Sequence, residues 1–158
     1  MRAAFRIVLT AFVLVVLAQS ALAADAKPAS KSGDKAKAAH LGLMTPDQLK
    51  WEDNPGAPEV KVAVVWGDAK KGPHGAFHKF PAGFATPLHT HSANLKAVVI
   101  SGTIIEGEDG KETKLPPGSY FMQPHTVKHT TKCDAGSECV IYATANKGFD
   151  IHMVEEKK

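Results

Sequence analysis

Gly83-Phe84-Ala85-Thr86-Pro87-Leu88-His89-Thr90-His91 is the stretch on which the reading of this chain turns. A second stretch answers it: Gly118-Ser119-Tyr120-Phe121-Met122-Gln123-Pro124-His125-Thr126-Val127-Lys128-His129. In an extended strand the side chains at i and i+2 share a face, so His89 and His91 point the same way. Imidazole nitrogens are good ligands for divalent transition metals. Two from one strand and a third, His129, from a neighbouring strand can cap one face of an ion. The other coordination positions then stay open, as in a reactive rather than a structural site. Glycine and proline ahead of each stretch suit the bends by which strands enter and leave a barrel wall.

Outward from these two segments the sequence reads as short strands. Val60–Trp66 is rich in valine, and Ala76–Phe80, Leu95–Ser101, Ser119–Gln123 and Cys139–Thr144 are further candidates. Gly-Asp, Lys-Gly-Pro, Glu-Asp-Gly, Pro-Pro-Gly and Asp-Ala-Gly lie between them, all of it turn chemistry. Many short strands at spacings of roughly ten residues predict an all-β barrel or sandwich. Upstream, Thr45-Pro46-Asp47-Gln48 has the signature of a helix start, with Thr as cap and Pro in the first helical position. That helix must be short, because Asn54-Pro55-Gly56 ends any helical pattern. No helical period long enough for a βαβ unit is present, and there are no internal repeats.

The spacing of the two segments resembles the motifs of the cupin superfamily, Gly-x5-His-x-His-x3-4-Glu-x6-Gly and Gly-x5-Pro-x-Gly-x2-His-x3-Asn. Gly83, His89, His91 and Gly102 match the first; Gly118, Pro124 and His129 match the second, fifteen residues further on. The flanking Lys79-Phe80-Pro81-Ala82-Gly83-Phe84 and Val99-Ile100-Ser101-Gly102-Thr103 are similar to small single-domain bacterial cupins. The resemblance covers roughly Trp51 to Val154. It implies a double-stranded β-helix, the cupin jelly-roll barrel, with a short helix before it. It also implies a homodimer and one divalent transition metal ion per chain on His89, His91 and His129. Iron, nickel, copper, manganese and zinc all accept such donors. Three departures stand out. The motif glutamate falls at Leu95, which by alternation from His91 faces inward while Lys96 faces out. Thr126 replaces the second motif's glycine, and Cys133 its asparagine. Three-histidine centres do occur among cupin-fold dioxygenases.

The remaining histidines carry less. His125, four residues before His129, is the candidate acid or base beside the site. His78 leads into the first motif and can face the cavity; His74 and His152 read as loop and strand-end residues. Tyr120, Phe121 and Met122 read as core, with pocket lining as the alternative. Cys133 and Cys139 bracket a compact turn, which suits a cross-strand disulfide in an exported chain. The rival reading makes Cys133 a thiolate ligand.

Export is read from the start of the chain. Arg2 and Arg6 precede the apolar run Ile7–Leu17, and Ala21-Leu22-Ala23 offers the small residues of a cleavage site. Residues 1–23 are thus expected to be a signal peptide, because the run is shorter than the roughly 20 residues that span a bilayer. The mature chain would carry no membrane span and would reside in the periplasm or be secreted. Residues 24–40 contain no large apolar side chain and are expected to form a disordered, Lys/Ala-rich tether. Residues 41–158 then form the cupin domain. The whole chain of 158 residues has a formal charge of +3, but both arginines lie in the leader. From Leu41 onward 13 lysines face 14 acidic residues. A near-neutral domain without arginine is a poor match for nucleic acid, which demands clustered cations.

These features point to an exported metallo-cupin that oxidises a small organic molecule with oxygen. Two alternatives remain open at the level of sequence. One is a non-catalytic module holding metal or a small molecule; the other is a metal-free structural dimer.

Overall fold

Residues 41–155 are described in the computed structural model; the expected leader (1–23) and tether (24–40) lie outside the described residues. Eleven strands are found among those described: β1 (Glu52–Asn54), β2 (Ala57–Gly67), β3 (His74–Phe80), β4 (His89–Thr90), β5 (Leu95–Ser101), β6 (Ile104–Glu108), β7 (Lys111–Leu115), β8 (Tyr120–Gln123), β9 (Thr130–Cys133), β10 (Cys139–Ala145) and β11 (His152–Met153). They form a six-stranded antiparallel sheet in the order β1-β2-β3-β10-β5-β8, a three-stranded sheet β7-β6-β9 and a two-stranded ribbon β11-β4. Reciprocal backbone hydrogen bonds between His89 and His129, each 3.0 Å, stitch the ribbon to the segment leading into β9. A bridge between Ala85 and Lys132 continues that seam. The six-stranded sheet is one wall of a jelly-roll barrel, and the smaller elements are the other. Among the described residues no helix is long and apolar enough to cross a membrane.

Alternation builds the interior. β5 buries Leu95, Ala97 and Val99 while Lys96, Val98 and Ile100 face outward. β10 buries every second residue from Cys139 to Ala145. A single apolar cluster joins Val60, Phe80, Ala97, Val99, Ile141 and Ala143 of the large sheet to Ile104 and Cys133 of the small one. The sulfurs of Cys133 and Cys139 lie 2.08 Å apart, at disulfide distance, so this link joins β9 of one wall to β10 of the other. A sulfur placed there is not available as the thiolate ligand that the rival reading required.

Two expectations need correction. The N-terminal helix is only a single 3₁₀ turn, Pro46–Gln48, although the Thr45 N–H does donate to Gln48 Oε1 at 2.8 Å. None of its residues is buried, and so short a helix has no apolar face whose packing could extend it. Tyr120 and Met122 are not core: they are 60% and 52% exposed on the outer side of β8. The strands β6, β7 and β9 gave no alternation signal because they are rich in Glu, Lys and Thr.

The outer side of the large sheet carries aromatic residues. Trp66 reaches across Gly75 so that its Nε1 donates to the Tyr142 hydroxyl at 2.8 Å. A Cβ at Gly75 would lie 2.0 Å from that nitrogen, which explains the glycine near the start of β3. Lys79 Nζ sits 4.5 Å from the centre of the Trp51 ring on the same side.

Candidate metal centre

Positive φ at Gly83 (76°) and Gly118 (88°) opens each histidine segment with a turn that a side chain would strain. The chain then delivers His89 and His91 from β4 and the loop after it, and His129 from the residue before β9. All three side chains are buried. Their candidate ligand atoms lie within 4.8 Å of one another. Ring centroids are 4.9 Å apart for His89 and His91, 4.3 Å for His89 and His129, and 5.1 Å for His91 and His129.

What fixes the rings is a carbonyl behind each. His89 Nδ1 is 3.0 Å from Pro87 O, His129 Nδ1 is 2.9 Å from Val127 O, and His91 Nδ1 is 2.5 Å from Asp150 O. A carbonyl only accepts, so each Nδ1 carries the proton and each Nε2 keeps its lone pair. Burial lowers the pKa of all three, that of His89 to about 4, because a charged imidazole would lose its hydration. Three neutral imidazoles at pH 7 are therefore expected. Among the described residues His129 Nε2 is buried without a hydrogen-bond partner. An orphaned buried acceptor is costly in a finished interior and fits a cation that three such lone pairs would surround.

Behind the cluster lies a polar triangle. Glu106 of β6 accepts from Gln123 Nε2 at 3.0 Å and from Thr131 Oγ1 at 2.9 Å, and Gln123 Nε2 also donates to Thr131 Oγ1 at 3.1 Å. Burial outweighs these two donors and raises the Glu106 pKa to about 7. Toward the barrel interior a cavity of ≈ 60 Å³ is walled by His89, His91, Leu95, Phe121, Gln123 and Phe149, among others. A recess of ≈ 90 Å³ between β6 and β8 reaches His129, Glu106 and Gln123.

Of the residues expected from sequence, the structure brings His89, His91 and His129 together. It places Leu95 inward on the cavity and Lys96 outward, as alternation required. His78 joins the cavity wall, and burial lowers its pKa to about 4. His125 is exposed: its Nδ1 lies 3.1 Å from Asn94 Oδ1, and it lines neither space around the cluster. His74 opens β3 and is buried, with Nδ1 3.0 Å from Gly72 O. His152 is exposed and pairs with Asp150 and Ser92. Thr126, standing at the motif's glycine, has φ 66° and donates its N–H to His91 O at 3.0 Å. Left-handed backbone at a β-branched residue is a strained conformation. Sequence reasoning missed Glu106, Gln123, Thr131 and Asp150. Gln123 had a signal: it alternates with Phe121, opposite in parity to Tyr120 and Met122.

Comparison with known proteins agrees with this fold. A family model described as a domain of unknown function (DUF4437) matches residues 14–152. No curated protein matches the sequence. Among solved structures, the polyketide cyclase RemF from Streptomyces resistomycificus is similar at 17% identity and a TM-score of 0.62, over 75% of this chain and 89% of that one. An RmlC-like cupin from Shewanella frigidimarina is similar at 20% identity and a TM-score of 0.55, over 68% of this chain and 91% of the other. For KdgF from a Halomonas species the values are 21% and 0.55, over 66% and 94%.

Proposed function

The chain belongs to the DUF4437 family, a cupin-like domain, and we propose that it is an exported metallo-cupin acting on a small, largely apolar molecule. One divalent transition metal ion would be held by His89, His91 and His129. The observation that carries this reading is the convergence of three buried rings whose Nδ1 atoms are all tied to carbonyls, with His129 Nε2 left unpartnered. Such an ion would supply Lewis acidity and open coordination positions for oxygen-dependent oxidation. The chain's own residues bind and orient. Phe121, Phe149 and Leu95 exclude water from the cavity, and Asp150 holds the His91 ring through its carbonyl. His125, exposed beside Asn94 and outside both spaces around the cluster, is the proposed acid or base that exchanges protons with solvent. Elemental analysis of untagged protein from the exported fraction tests the centre: one equivalent of a transition metal is expected, and none would refute it.

Export to the periplasm or beyond, after cleavage of residues 1–23, is part of the proposal and is supported by the paired sulfurs of Cys133 and Cys139. Intact mass should fall short of the reduced mass by two hydrogens, and two freely alkylated thiols would contradict it. The apolar lining of the cavity favours one second reading, a module that binds a small molecule without turnover. Turnover under oxygen separates the two. A second copy of the chain is proposed to cover the outer face of β5 and β8, where Val98 lies opposite Tyr120 beside exposed Ile100 and Met122. Sedimentation of the folded protein as a monomer would refute that contact.

A further inference from the structure

The motif position that would supply a carboxylate is Leu95, and its direct cross-strand partner on β8 is Gln123. Directly paired residues hold their Cβ atoms about 5 Å apart on the same face of a sheet, so the longer side chain of one covers ground near the other. The Gln123 side chain lies on the inner side: its neighbours Tyr120 and Met122 face solvent, and Phe121 and Gln123 both line the cavity. Gln123 is also common to both spaces around the histidines, the cavity walled by His89 and His91 and the recess that reaches His129.

The polar triangle decides which end of the Gln123 amide faces where. Both of its hydrogen bonds run through Nε2, to Glu106 Oε2 and to Thr131 Oγ1. Thr131 donates its own hydroxyl proton to Glu106 Oε1, so toward Gln123 it acts as acceptor. With the amino group anchored in this way, the carbonyl oxygen Oε1 is turned away from Glu106 with its lone pairs free for another partner. The other amide and hydroxyl oxygens on the cavity are already engaged, while the His78 imidazole on the same wall makes no hydrogen bond among the described residues. Asn54 Oδ1 accepts the Gly56 N–H at 3.0 Å, and Thr86 Oγ1 spans the Thr131 backbone, donating to its O and accepting from its N.

We propose that Gln123 is the fourth protein donor of the centre, its side-chain carbonyl oxygen replacing the carboxylate that the Leu95 position lacks. This rests on the three-histidine reading above. An amide oxygen is a neutral donor acceptable to borderline divalent ions, so the ion keeps its full charge and holds anionic small ligands more firmly than a glutamate site would. Glu106 and Thr131 are then positioning residues, which set the amide rather than touch the ion.

Cobalt(II) titration of metal-stripped, untagged protein tests this, read by calorimetry and by the visible spectrum of the ion. The unsubstituted protein should bind one equivalent. Gln123→Leu should weaken binding by roughly ten-fold or more and alter the spectrum, because an oxygen donor is lost. Gln123→Glu should bind more tightly than the parent, which also guards against a folding defect in the leucine variant. Thr131→Val removes one anchor of the amide but leaves the donor and its Glu106 partner, and should weaken binding less than Gln123→Leu while keeping the parental spectrum. A Gln123→Leu protein with parental affinity and spectrum overturns the proposal while the three-histidine centre stands. Thr131→Val that matches Gln123→Leu in both affinity and spectrum overturns it too, since Gln123 would then matter only as part of the triangle. No cobalt bound by the unsubstituted protein defeats the three-histidine reading itself, before any variant is compared.

Discussion

The two ends of the barrel interior are built from the same strands and differ in kind. The inward side of β9 and the residue before it runs from His129 through Thr131 to Cys133, about 13 Å of extended chain. On β6 it runs from Ile104 to Glu106, and on β5 from Val99 to Leu95. At one end Ile104, Val99, Ile141 and the Cys133–Cys139 pair fill the space with apolar contacts, which need no partner of particular chemistry. At the other end the groups are buried but incomplete. His129 Nε2 has no partner, imidazoles are held neutral, Glu106 is pushed toward protonation, and Thr126 is strained. The packed end supplies the stability that lets the other end retain groups no interior would keep for packing alone.

His129→Ala should separate the two ends most sharply. Stoichiometric metal should be lost outright while a cooperative thermal transition remains, because the apolar cluster does not include His129. A variant that still binds one equivalent would place the centre elsewhere. Ile104→Ala strikes the opposite end. Ile104 is fully buried, so urea denaturation should show a loss of about 2–5 kcal/mol, with metal stoichiometry unchanged in the folded fraction.

Acid should distinguish the ends by a smaller margin. The buried histidines His78 and His89, with pKa near 4, bind fewer protons folded than unfolded once pH drops below 6.5. His91 and His129 shift in the same direction. Their contribution to stability is complete above pH 6.5 and is lost as pH falls toward 4. Glu106, raised from 4.5 to about 7, acts with the opposite sign: its contribution is complete below 4.5 and is lost as pH rises through 7. Four histidines outweigh one glutamate, so the urea midpoint of the metal-free protein should fall on going from about pH 7.5 to about pH 5. An unchanged midpoint would mean the rings are not held as described. Thr126→Gly should have the smallest effect, a gain of up to about 1 kcal/mol from relief of the left-handed strain. A loss there would show that the threonine side chain contributes contacts that offset its backbone.

How far the sequence reveals this molecule follows the same division. Strands that bury one face, such as Leu95–Ser101 and Cys139–Ala145, carry an alternating pattern and were readable. The histidine triad was readable because i, i+2 spacing and two glycine-led turns are local features. Lys111–Leu115 was not, since an exposed edge strand of the three-stranded sheet has nothing to bury and so no pattern to show. The triangle of Glu106, Gln123 and Thr131 was invisible for another reason. Its members lie on three strands: the register of β6 against β9 sets Glu106 opposite Thr131, and Gln123 meets them from β8 of the other sheet. The Asp150 carbonyl behind His91 is a backbone group 59 residues away, which no side-chain pattern encodes. Tyr120 and Met122 defeat the rule that large apolar side chains lie inside, because their parity on β8 turns them to the outer face.

The placement of the two tryptophans has a practical consequence. Trp51 lies against Lys79 and Trp66 against Tyr142, both on the outer side of the large sheet, and neither lines the cavity of the histidines. Intrinsic fluorescence therefore watches the outside of the barrel: an ion entering among the imidazoles leaves it nearly dark to the event, whereas a protein chain settling over Trp66 alters it directly. An optical screen for cargo in the cavity needs a reporter planted inside, and Phe121→Trp offers one on the cavity wall.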